Sequence, residues 1–86
     1  MKVNFCKVRI RPSLMTEEII EQDFTKLIAD AIWRNARGVE EADFAMRLFH
    51  AGGELEITDA EKRIIESVLG DFLWFAQEGI KNILNA

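Results

Sequence analysis

The segment Lys2-Val-Asn-Phe-Cys-Lys-Val-Arg-Ile-Arg11 decides how the rest of the chain must be arranged. It is rich in β-branched residues. Cys6, Val8 and Ile10 fall on one parity, and Lys7, Arg9 and Arg11 on the other. That alternation is the mark of a half-buried strand. Val3 and Phe5 carry the opposite parity, so the pattern slips near Phe5-Cys6, where a bulge or a frayed start is expected. Pro12, the only proline, ends the strand.

A strand needs a partner for its backbone groups. Glu54-Leu-Glu-Ile57 alternates acid and apolar residues and is the obvious one. Antiparallel pairing is expected to set Lys7 and Arg9 against Glu54 and Glu56, a favourable cross-strand arrangement. The other option is pairing with a second copy of the chain. If the Lys7/Arg9 pairing is absent, the basic arm is free, and nucleic acid or a second subunit becomes the better expectation.

Outward from these two segments the pattern is helical. Thr16 is placed to cap a first helix, with Glu17 and Glu18 in its first turn. Ile20, Phe24, Leu27, Ile28 and Ala31 then form an amphipathic stripe, and Gly38 marks the stop. A second helix is expected over Glu40 to Ala51, with a narrow polar stripe of Glu40, Asp43, Arg47 and His50, ended by Gly52-Gly53. Thr58-x-x-Glu61 is a capping box opening a third helix. Residues 59–85 carry one apolar stripe, but Gly70-Asp71 in its middle favours a break into two helices.

The fold class that follows is α+β and mostly helical. Three to four helices pack with a small two-stranded antiparallel sheet joining residues 3–10 to 54–57. The expected core is Ile20, Phe24, Leu27, Ala31, Ala45, Leu48, Phe49, Ile65, Leu69 and Phe72. Eighty-six residues leave room for one domain, 1–86, made of a basic N-terminal strand 2–11 and a helical body 16–85.

Charge divides the same way. The net −4 is the sum of +4 on residues 1–16 (Lys2, Lys7, Arg9 and Arg11, no acid) and −8 on the remainder. The acidic body disfavours a phosphate backbone, so nucleic-acid binding through the arm ranks second to contact with protein.

Parts for catalysis are missing from the pattern. With one Cys and one His, thiolate or imidazole zinc sites lack components, and no metal or cofactor is expected. Cys6 reads as a small buried hydrophobe and His50 as the polar end of a helix. Ser13 and Ser67 lack the surroundings of a nucleophile. Gly52-Gly53 is followed by Glu54, which would repel a phosphate. The expectation is a protein that is not an enzyme. No stretch resembles a signal peptide or a membrane span, so a cytoplasmic location is expected.

The tryptophans are the odd residues. Trp33 lies off the first helical stripe, on a second face with Ile19, Ala29 and the stem of Lys26. On one straight helix Trp74 points away from Leu69, Phe72 and Ala76; a break at Gly70 would reset the phase and bury it. Trp33, Trp74 and Ile19 are therefore the candidate interface.

The order of elements carries a resemblance. Phe24-Thr-Lys-Leu-Ile-Ala-Asp-Ala-Ile-Trp33 is followed by Glu41-Ala-Asp-Phe-Ala-Met-Arg-Leu-Phe-His50 and Gly53-Glu-Leu-Glu-Ile-Thr-Asp-Ala-Glu-Lys62. Over about residues 20–70 this plan resembles a group of small phage and prophage proteins without an assigned activity. It implies an accessory role inside a bacterial host cell, through contact with a second copy or with a host or phage protein. It transfers no functional residues.

Overall fold

A computed structural model describes all residues, Met1–Ala86. The N-terminal segment is two strands, not one. β1 (Lys2–Val3) and β2 (Val8–Ile10) are separated by a 3-10 turn at Phe5–Lys7. The Asn4 side chain accepts a hydrogen bond from the Cys6 amide at 2.9 Å and caps that turn. The turn explains the parity slip. In a continuous strand Val3 and Phe5 would face away from Val8 and Ile10. With the turn inserted, all four are buried in a common core.

Each strand finds a different partner. β1 pairs antiparallel with β4 (Leu55–Glu56), setting Lys2 opposite Glu56 and Val3 opposite Leu55. β2 pairs antiparallel with β3 (Ile20–Gln22), setting Arg9 opposite Glu21. The expected single sheet joining 3–10 to 54–57 is thus two separate ribbons. Lys7 and Arg9 do not meet Glu54 and Glu56; only the Lys2 end of the arm reaches β4.

The same pairing shortens the first helix. Residues 20–22 are strand, so α1 spans Thr25–Asn35 and Thr16 caps nothing helical. Asp23 instead accepts from the Thr25 amide at 2.9 Å. The helix-type stripe beginning at Ile20 yielded to the need of β2 for a ladder partner. With the start moved, the buried face of α1 is Thr25, Ile28, Ala29, Ala31 and Ile32, and Leu27 lies outside it. Ile20, Leu27 and Phe49, expected in the core, are exposed, and Phe72 is partly buried.

The remaining elements follow the local signals. α2 spans Val39–Phe49, and α1 and α2 form a helical hairpin across residues 36–38. The Thr58–Glu61 capping box is fully formed and opens α3 (Asp59–Ser67). The second carboxylate oxygen of Glu61 also meets the Arg47 guanidinium, so one side chain both caps α3 and ties it to α2. The helix breaks after Ser67; a 3-10 turn over Leu69–Asp71 leads to α4 (Trp74–Leu84). The side chain of Asn35 donates to Asp71 at 3.0 Å, anchoring that turn to the end of α1.

α4 packs on β2 at one point of unusual closeness. A Cβ placed on Gly79 would stand 2.6 Å from the Arg9 carbonyl oxygen and 2.7 Å from a Val8 methyl. Glycine there costs the helix about 1 kcal/mol of propensity, and the close approach offsets it. Gly79→Ala should lower stability by about 1–3 kcal/mol through overpacking, read as a lower urea midpoint. Gly70→Ala meets nothing within 4 Å. It should leave stability unchanged or raise it by up to about 1 kcal/mol. Equal losses at both glycines would contradict this account of α4 and β2.

Candidate protein-docking surface

The outer side of the α1–α2 hairpin carries an apolar surface groove. Ala29 and Ala45 are small and buried, which lets the two helices approach and forms a floor. Trp33, Met46 and Phe49 stand around it, enclosing an apolar groove of about 300 Å³. Trp33 is 54% exposed although it is among the largest apolar side chains of the protein. The ammonium of Lys26 sits 5.1 Å from the Phe49 ring centroid, a cation–π contact at the groove edge. The His50 ring meets Phe49 edge-on at 5.3 Å.

A second groove, about 350 Å³, lies on the other side of α1, between Leu27 and the Phe72–Leu73 segment. Asp30 borders both grooves and forms an ion pair with Arg34 at 3.1 Å. Exposed apolar residues thus run across α1 with one ion pair among them. Clusters of this kind, aromatic and Met-containing, are what protein interfaces use.

The three residues singled out from the sequence are not brought together. Trp33 lines the α1–α2 groove. Trp74 opens α4 and is 66% exposed, with the Lys81 ammonium 5.5 Å from its ring centroid. The break at Gly70 therefore does not bury it. Ile19 precedes β3 and borders a different depression, with Arg11 and Phe75. Its expected helical face with Trp33 does not exist, because residue 19 is outside α1. Met46 and Phe49 are the residues that sequence reasoning missed. Phe49 is in the expected core, and Met46 falls on the circumference of α2 outside its narrow polar stripe. The signal was the paired Ala29 and Ala45, whose small side chains leave their neighbours standing proud.

The basic arm is split. Lys2 lies on one ribbon, and Lys7, Arg9 and Arg11 on or beside the other. Lys7 and Arg9 form no ion pair, while the Arg11 guanidinium donates to the carbonyls of Thr16 at 2.9 Å and Leu14 at 3.4 Å. Glu17, Glu18 and Glu21 follow in the same hairpin.

Groups with chemical potential are tied to structural tasks. The Cys6 thiol is partly buried, 3.5 Å from the Thr25 hydroxyl. Ser13 accepts from the Met15 amide, and Ser67 donates to the Ile64 carbonyl. No group of three or more His, Cys, Asp or Glu side chains is arranged to hold a metal ion. No helix is long and apolar enough to cross a membrane. Comparison with protein-family models, curated proteins and solved structures found no match.

The exposure of both tryptophans has a direct optical consequence. In dilute solution, Trp33→Phe and Trp74→Phe should each leave one indole with red-shifted emission open to acrylamide. Blue-shifted, quencher-protected emission from either in a proven monomer would contradict the placement.

Proposed function

We propose that this chain is a non-catalytic accessory protein, of the phage or prophage type its pattern resembles, that works by docking another protein onto the outer face of α1 and α2. One observation carries the reading. Trp33, Met46 and Phe49 stand exposed around a floor made of two buried alanines. Fully burying an apolar side chain of this size is worth roughly 1.5–3 kcal/mol; these three, about half exposed, have about half of that left to gain, and Trp is among the residues enriched at interface hot spots.

The test compares two baits in cells that produce the protein. One is the wild-type chain and the other carries Trp33→Ser with Phe49→Ser, which leaves the Ala29–Ala45 floor intact. A specific partner, including an untagged copy of the chain, should be retained by the first and lost by the second. Equal retention by both would overturn the reading.

Nucleic acid is the second reading, favoured only by the unpaired Lys7 and Arg9. It predicts salt-sensitive binding to duplex DNA that is lost in Lys7→Glu/Arg9→Glu. We expect no shift in a filter or gel assay at near-physiological salt, because the neighbouring acids and the −8 body oppose it. Retention of DNA by the parent and its loss in the double variant would reverse the order of the two readings.

A further inference from the structure

We propose that the α1–α2 groove of one copy receives the Leu14–Met15 tip of a second copy. This rests on the docking reading above and names its occupant. Residues 11–19 link β2 to β3, and at their apex Leu14 and Met15 are 89% and 96% exposed. Connecting loops usually carry polar tips. This one presents two large apolar side chains, and its backbone is braced to do so. Arg11 donates to the Thr16 and Leu14 carbonyls. Ser13 accepts from the Met15 amide and Thr16 from the Glu18 amide, both at 3.1 Å. A loop already ordered loses less freedom on docking, so more of the burial of its tip appears as affinity.

The groove is matched in size and charge. At about 300 Å³ it lies at the lower limit for small-molecule sites and is open along one side, which suits side chains entering from a protein surface. Its walls, Trp33, Met46 and Phe49, are apolar like the tip; of the two polar residues that also line it, His50 and Asp30, the acid is paired with Arg34. Glu17 and Glu18 follow the tip directly, and Lys26, which forms no ion pair within the chain, stands at the groove edge over Phe49.

The tip does not cover its own groove, as its exposure shows. It extends from the β2–β3 ribbon, which packs with α4, whereas the groove belongs to the α1–α2 hairpin. The molecule is elongated, 43 Å against 22 and 20 Å. Two complementary patches on one chain close an isologous dimer when the contact is made reciprocally about a two-fold axis, and propagate a heterologous chain when it is made in one direction only.

Sedimentation velocity of the purified full chain over a wide concentration range tests this. Wild type should associate reversibly. Leu14→Asp/Met15→Asp removes the tip and Met46→Asp spoils the groove. Each should weaken association at least about tenfold, as expected for apolar side chains left unburied. An equimolar mixture of these two variants should recover two-chain species and nothing larger, because only one intact tip–groove contact remains per pair. Where Met46→Asp does not fold, a charge exchange reads the same contact. Lys26→Glu alone and Glu17→Lys/Glu18→Lys alone should each weaken association, and mixing them should restore it. A wild-type chain that stays monomeric throughout, or a tip variant that associates like wild type, overturns the proposal. In either case, Trp33-dependent retention of a different protein in the bait comparison would still uphold the docking face.

Discussion

The fold depends on the N-terminal ten residues presenting Val3, Phe5, Val8 and Ile10 to a single core. A straight strand cannot do this, because the first pair and the second pair differ in parity. The 3-10 turn at Phe5–Lys7 removes the conflict and at the same time splits the strand. Each piece is then free to take its own partner. The first holds β4, where the Ile57 amide donates to the Met1 carbonyl at 2.8 Å. The second holds β3 and the start of α1, where the Phe24 amide donates to the Phe5 carbonyl at 2.9 Å. α4 closes over β2 at Gly79. One short segment therefore contacts elements drawn from nearly the whole chain.

Much of this was legible in local chemistry. The Thr58–Glu61 box, the existence of α2, the acidic strand before α3 and the break at Gly70 are all dictated by neighbours within a few residues, although α2 stops at Phe49, ahead of Gly52-Gly53. What was not legible depended on distant partners. Residues 17–22 are good helix material, yet β2 takes Ile20–Gln22 as its ladder partner, and no local signal announces that choice. The shifted start of α1 then moved Leu27 to the surface and separated Ile19 from Trp33. The parity slip at Phe5-Cys6 was visible, but a bulge and a turn with a change of partner leave the same trace in a sequence.

Of the candidate surface, the exposure of Trp33 was legible as its displacement from the apolar stripe. Met46 and Phe49 were hidden because α2 looks apolar around most of its circumference. Their exposure is a consequence of packing α2 against α1 through alanines. The same structure that commits the N-terminal segment inward leaves the outer α1–α2 face without a partner inside the chain. It also redistributes the charge. Arg9 faces Glu21 and Arg11 braces its own loop, so the basic arm is partly absorbed by the hairpin that follows it.

Native-state amide hydrogen exchange of Ile57 and Phe24 tests the central claim most directly. Both amides lie outside the segment, and each donates to one of its carbonyls. If the N-terminal ten residues organise the fold, these two amides exchange only with global unfolding, at the rate of the most protected amides of α1 and α2. If they exchange by a local opening while α1 and α2 stay protected, the segment is an appendage and the account is wrong.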